Sequence, residues 1–219
     1  MKIRKIEIVS DLAHFKKPFA TKIHYTYTIP PISTVIGIMQ NLFNDEINNF
    51  IFGYLFEADP NIFKDINKVY KEVNFNIKND ADRYNSNGEW VSDIAEIHYL
   101  VNPKLTIYTS LTNKLEIREP LTLGKTDCLS RVVRDTWLDM KDIYSKGFNQ
   151  FTALEVGTGK PMRISTLTQY NESKGYYEIY KKQVRLSDSF KHNKNYDEEV
   201  DQCIFLWKYE GGGSISEYR

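Results

Sequence analysis

The stretch Pro30-Pro31-Ile32-Ser33-Thr34-Val35-Ile36-Gly37-Ile38-Met39-Gln40-Asn41-Leu42-Phe43 constrains the chain most. After two prolines that disfavour helix, Ile32, Val35, Ile36, Met39, Leu42 and Phe43 recur at helical spacing, with Ser33 or Thr34 able to cap the start. This predicts a buried first helix. Its surroundings read differently: Lys2–Val9 places Ile3, Ile6 and Ile8 in an imperfect alternation, and the Thr, Tyr and Ile of residues 14–31 suit extended backbone. The chain is therefore expected to be α+β, with more strand than helix.

Downstream, residues 68–79 alternate Val69, Val73, Phe75 and Ile77, and residues 97–111 predict a strand pair around Pro103. Between them lies a polar segment with the turn signal Asn87-Gly88, so a hairpin over roughly 68–101 is expected to leave the body of the domain. Residues 153–188 repeat the strand, turn, strand rhythm, and Cys203–Tyr209 is read as a final strand. The run Gly211-Gly212-Gly213-Ser214 resembles a flexible linker, so residues 1–205 are taken as one domain and 206–219 as a tail.

A chain of 219 residues with 41% hydrophobic content can bury a sizeable core. No apolar run approaches the length of a membrane span, and the N-terminus lacks the apolar stretch of a signal peptide, which predicts a cytoplasmic protein without a membrane partner. Cys128 and Cys203 stand in no metal-binding spacing, and His14, His24, His98 and His192 are too scattered in sequence for a metal cluster, so neither cofactor nor metal is expected. Gly124-Lys125-Thr126 ends like a phosphate-binding P-loop, but Glu119 stands where that motif needs glycine. With no other hydrolase, zincin or kinase motif, catalysis is not expected.

The formal charge is zero, from 29 basic and 29 acidic residues. Charge is nonetheless segregated. Residues 1–29 hold Lys2, Arg4, Lys5, Lys16, Lys17 and Lys22 against Glu7 and Asp11, and residues 160–191 are also rich in basic side chains, including Lys160 and Arg163. Asp45, Glu46, Glu57 and Asp59 form an acidic stretch, and Asp197, Glu198, Glu199 and Asp201 form another. This predicts a basic face for phosphates and an acidic face for a protein neighbour.

Two motifs carry a family resemblance. Phe15-Lys16-Lys17-Pro18 followed by Tyr27-Thr28-Ile29-Pro30-Pro31-Ile32-Ser33-Thr34-Val35-Ile36-Gly37 is similar to the N-terminal signature of the CRISPR-associated Cas-five family. Arg118-Glu119-Pro120-Leu121-Thr122-Leu123-Gly124-Lys125-Thr126-Asp127-Cys128-Leu129 resembles that family's second conserved loop, with Lys125 in place of the usual arginine. Lysine keeps the charge but loses the bidentate fork.

The resemblance implies a RAMP-superfamily protein: a ferredoxin-like or RNA-recognition-motif-like domain with a long β-hairpin thumb and additional C-terminal β structure. It implies a non-catalytic subunit, nearest type I-B, that caps the 5′ handle of crRNA in a Cascade surveillance complex for antiviral defence. The implied partners are the crRNA, the backbone subunit, the large subunit and, through the complex, target DNA. Lys16, Lys17, Lys125, Arg131, Lys160 and Arg163 would neutralise phosphates, Tyr25 and Tyr27 would face bases, and Ser33, Thr34, Gly124 and Thr126 would line the RNA's path. Arg83, Tyr84 and Trp90 near the hairpin tip would meet a neighbouring subunit or the guide–target duplex. The alternative is a metal-independent endoribonuclease that processes repeat RNA, for which His24 with Tyr25, or His98 with Tyr99, would be the candidates.

Overall fold

The computed structural model describes residues 1–18, 22–43, 47–70, 92–117 and 119–218. Arg83, Tyr84, Trp90, Arg118, Asp45 and Glu46 lie outside the described residues.

The chain opens with β1 (Lys2–Ser10), β2 (Leu12–Ala13) and β3 (Ile23–His24), then α1 (Ile32–Phe43), β4 (Phe50–Glu57), β5 (Ile62–Tyr70), β6 (Ser92–Val101) and β7 (Lys104–Thr109). It continues through β8 (Ser130–Asp139), β9 (Ser145–Gly147), β10 (Gln150–Thr152), β11 (Thr158–Asn171) and β12 (Tyr176–His192). The short β13 (Tyr196–Asp197) and β14 (Gln202–Cys203) precede β15 (Trp207–Gly211) and β16 (Ser214–Glu217). At 12 residues, α1 is far too short to cross a membrane.

Six antiparallel strands form the central sheet in the order β16-β15-β4-β7-β1-β8. The imperfect alternation of β1 has a physical cause. Ile6 and Ile8 face α1, whereas Ile3 faces the opposite side with Leu55, Tyr108, Met140, Ile204 and Leu206. Both faces are covered, so neither must be polar. The helix buries Ile32, Val35, Ile36, Ile38, Met39, Leu42 and Phe43, each contributing about 1.5–3 kcal/mol of transfer free energy. Neither Ser33 nor Thr34 caps it: α1 begins at Ile32, and the Pro31 carbonyl accepts from Thr34 N–H (2.9 Å) and Val35 N–H (3.2 Å).

The segments flanking Pro103 are both strands, but they do not pair. The chain turns at Asn102 (φ 49°), and β6 enters a separate sheet with β2, β3 and β5 while β7 enters the central one. Of the hairpin expected over 68–101, residues 71–91 with Val73, Phe75, Ile77 and Asn87-Gly88 lie outside the described residues; β5, which starts earlier at Ile62, pairs with β6 from Ile62↔Leu100 to Tyr70↔Ser92. A second long hairpin, β11–β12, pairs from Thr158↔Ser189 to Asn171↔Tyr176, with β9 and β10 on the other edge of β12.

Three further expectations are corrected. Residues 207–217 are not a linker: β15 pairs with β4 from Trp207↔Phe52 to Tyr209↔Phe50, and Ile215 of β16 is buried in the main core. Gly211, Gly212 and Gly213 all take positive φ (89°, 56° and 80°), the conformation that a tight turn demands and glycine supplies. Of the N-terminal basic residues, Arg4 and Lys5 do not reach a basic surface. Arg4 makes a bidentate pair with Asp135 (2.7 Å), and Lys5 is buried against Asp197 and Glu199 (2.7 Å each). The acidic run 197–201 is likewise turned onto the protein itself. Glu199 also pairs with Arg134, Glu198 with Lys141, and Asp201 accepts from the Tyr196 hydroxyl.

Candidate nucleic-acid interface

Three segments distant in sequence converge beside the start of α1. Residues 15–17 and 25–27 pair back to back: Tyr27 N–H donates to the Phe15 carbonyl (2.8 Å), Lys17 N–H to the Tyr25 carbonyl (2.9 Å), and Phe15 N–H to Thr26 Oγ1 (2.9 Å). The loop 121–129 closes on itself through Leu123 N–H to Cys128 O and Cys128 N–H to Lys125 O, both 2.9 Å. It is then clipped to the first segment by His14 N–H donating to Leu123 O (3.1 Å). Gly124 sits at φ +98°, and a Cβ there would lie 2.0 Å from the His14 carbonyl oxygen. Its lack of a side chain therefore serves this internal contact, while the residue itself stays exposed.

The convergence leaves a groove of about 400 Å³, lined by His14, Phe15, Lys16, His24, Pro31, Thr34, Gly124 and Lys125. A second hollow of about 260 Å³ runs on along α1 past Gly37 and Asn41 and shares Thr34 and Gly124 with the first. The helix start faces this space with a proline at its N-cap position, which has no side-chain acceptor to offer the first-turn amides. Such a helix end carries partial positive charge.

Charge in the groove is partly compensated. Lys125 pairs with Asp127, which also accepts from the Tyr99 hydroxyl at 3.0 Å. Burial opposes the charge on Lys125, but the contacts to Asp127 and Tyr99 outweigh it and raise its pKa. Burial likewise opposes ionisation of Asp127, and the bonds from Lys125 and Tyr99 bring its pKa below the usual value. His14 is buried, which lowers its pKa. Its Nδ1 lies 2.8 Å from the His98 carbonyl, so Nδ1 carries the proton of the neutral ring. His98 Nε2 meets Glu96 at 2.5 Å, and that bond leads the causes that lower the Glu96 pKa.

The sequence-derived residues divide clearly. Lys16, Thr34, Gly124 and Lys125 line the groove, and Lys17 and Thr126 are exposed beside it. Tyr25 is 48% exposed and makes a T-shaped contact with His98, with ring centres 5.1 Å apart, so much of its ring surface is open. Tyr27 is instead half-buried against the core, with Lys17 Nζ 5.7 Å from its ring centre. The Ser33 hydroxyl is engaged, accepting from the Ser165 hydroxyl at 2.7 Å. That bond brings β11 to the helix start and Arg163 with it, because Arg163 and Ser165 share one strand face; Lys160 lies on the other. Arg131 is not brought in. It lines a separate groove of about 510 Å³ at the ends of β1, β7 and β8.

Sequence reading missed the gathering of three histidines. His14 and Tyr99 lie 5.7 Å apart between ring centres, His98 contacts Tyr25, and His14 and His24 both wall the groove. Their separation in sequence hid this. The parallel pairing of β3 with β6, Ile23↔Glu96 and His24↔Ile97, creates it.

No protein-family model matches the chain, and no curated protein matches it. Among solved structures, it is similar to a chain of a "CRISPR RNA-guided surveillance complex", with 9% identity and a TM-score of 0.49 over 86% of this chain and 89% of that one. It is also similar to a CRISPR protein from Archaeoglobus fulgidus, with 12% identity and a TM-score of 0.39 over the full length of both.

Proposed function

We propose that this chain is a non-catalytic RNA-binding subunit that grips the 5′ handle of a CRISPR guide RNA and helps assemble a type I surveillance complex. The observation that carries the reading is the convergence of Lys16, Thr34, Gly124 and Lys125, from three separate segments, on one groove at the start of α1. An uncapped helix end, two exposed lysines and an open tyrosine face supply what a single-stranded nucleotide tail asks for: a dipole and cations for phosphate, and a surface for a base. The order β8-β1-β7-β4, with α1 crossing from β1 to β4, supports the ferredoxin-like assignment; among the described residues between β7 and β8 no helix stands where the second one would. The β5–β6 ladder supports the thumb. The handle-binding role, the Cascade partners and the nearness to type I-B rest on the two sequence motifs.

A second reading, metal-independent cleavage of repeat RNA, has the histidine cluster in its favour. Against it, His14, His24 and His98 are each under 10% exposed, and Lys125 is held by Asp127. A base that takes a 2′-hydroxyl proton must reach its substrate.

Fluorescence anisotropy with a repeat-derived RNA carrying the handle tests the binding reading. Wild-type protein binds at physiological salt, and Lys16→Ala/Lys17→Ala lowers the slope of log K against log salt by about 1.4, near 0.7 for each phosphate no longer neutralised. Absence of binding at physiological salt removes the proposal. A product ending in a 2′,3′-cyclic phosphate in EDTA replaces it with the nuclease reading.

A further inference from the structure

The β11–β12 hairpin presents two faces that differ most at its base; toward the tip the body side also carries the exposed Tyr176 and Tyr180, there beside Glu178. Strand alternation and the observed register put Ile164, Val184 and Lys182 on the side turned toward the body, with Lys182 Nζ 5.7 Å from the Trp207 ring centre. The opposite face carries Arg163, Ser165, Thr168 and Tyr170 from β11, opposed by Gln183, Lys181, Ile179 and Tyr177 from β12. A register shift between Ser165 and Leu167 keeps these residues on one side.

None of these eight is buried. Tyr170, Tyr177 and Ile179 are 50%, 65% and 53% exposed, and the two tyrosines meet edge to face at 5.1 Å. The face holds two cations and no carboxylate; among the described residues neither Arg163 nor Lys181 has an ion-pair partner, and Glu178 lies on the other face, paired with Lys174. Exposed aromatic surface costs solubility unless something uses it. Rings interleaved with unpaired cations, and an absence of acids, suit a single-stranded nucleic acid better than an average protein neighbour. The strip is also continuous with the groove, because Ser165 touches Ser33 in the first turn of α1, next to Thr34. From Arg163 to Tyr170 it extends roughly 23 Å at about 3.3 Å per residue.

We propose that this face of the β11–β12 hairpin is a second single-stranded RNA-binding surface, on which bases stack against Tyr170 and Tyr177 and phosphates meet Arg163 and Lys181. It rests on the RNA-binding reading above and extends it: nucleotides leaving the groove at Thr34 pass Ser165 and run outward along the hairpin. Recognition there is sequence-tolerant, since every base has a face to stack and the described residues form no hydrogen-bonding pocket along the strip.

The test uses the full chain, a fluorescein-labelled oligouridine of about 16 nucleotides and, in parallel, the handle RNA. Tyr170→Ala/Tyr177→Ala is expected to weaken oligouridine binding at least tenfold, on about 1–3 kcal/mol per stacked base. Tyr170→Phe/Tyr177→Phe retains wild-type affinity, and Lys181→Ala lowers the salt slope by about 0.7. All three side chains are exposed, and unchanged melting curves show that folding is not what is being read. If Lys16→Ala/Lys17→Ala weakens binding while the tyrosine-to-alanine variant binds as wild type, this surface is refuted and the groove stands. Binding of handle RNA without binding of oligouridine has the same meaning. Binding of neither RNA removes both readings. A tyrosine variant with wild-type RNA affinity that loses a copurifying subunit makes the face a protein contact and overturns the proposal.

Discussion

Replacing Asp197 with alanine strands a buried charge. Asp197 and Lys5 are each 1% exposed and lie 2.7 Å apart. At an effective dielectric of about 20, their attraction is roughly 6 kcal/mol, most of which offsets the cost of removing both charges from water. The same carboxylate accepts from the Tyr108 hydroxyl (2.7 Å) and from Glu199 N–H (2.9 Å). Asp197→Ala therefore leaves a buried ammonium and a buried phenol short of acceptors. Loss of one partner of a buried pair costs about 3–5 kcal/mol; Glu199, which also contacts Lys5 at 2.7 Å, softens the loss and the stranded Tyr108 hydroxyl adds to it, leaving about 4. For a chain of this size that is a fall in Tm of roughly 8–16 °C. Urea unfolding followed by circular dichroism measures it as a lower midpoint at unchanged m. Lys5→Met/Asp197→Ala, which removes the stranded charge, is expected to be no less stable than Asp197→Ala alone. A single-variant loss under about 1 kcal/mol, or a double variant whose losses simply add, refutes the reasoning.

Bonds from Arg134 and Lys5 depress the Glu199 pKa to about 2. The stability this carboxylate contributes is complete above the ordinary glutamate value of about 4.3 and is lost as pH falls from there toward 2, so Glu199→Gln flattens the acid limb of a Tm-versus-pH curve. Gly124→Ala forces a Cβ against the His14 carbonyl at positive φ; a stability loss of about 2 kcal/mol by urea titration is expected, together with weaker handle binding by anisotropy. Asp127→Asn removes the anion that compensates Lys125 and is expected to steepen the salt dependence of RNA binding by about 0.7, whereas an unchanged slope shows that Lys125 meets no phosphate.

Local patterns were legible where a side chain's fate depends on its neighbours in sequence. The helix was bounded correctly at 32–43 because its apolar residues repeat every turn, and β1 to within one residue because its run of Ile and Val favours extended backbone even though burial on both faces spoils the alternation. The groove was legible in part: Lys16, Thr34, Gly124 and Lys125 were each singled out, and they meet. Composition misled at the C-terminus, since a glycine run looks the same in a linker and in a tight turn, and only the pairing of Trp207 with Phe52 distinguishes them. Charge counting misled too. Lys5 and Asp197, 192 residues apart, were assigned to opposite surfaces and instead neutralise each other inside.

What the amino-acid order determined alone was part of the element list, namely β1, α1, the strands either side of Pro103 and the β11–β12 rhythm, since periodicity and turn chemistry act over a few residues; β4 and β8 of the central sheet were not read from it. The tertiary structure decided which side chains share a space: His24 beside the loop at 124, Ser165 against Ser33, and Arg131 in a different groove. Those outcomes depend on strand register and loop closure across 80 to 130 residues. There, the free energy of many pairings summed over the whole sheet selects each contact, and no local pattern encodes it.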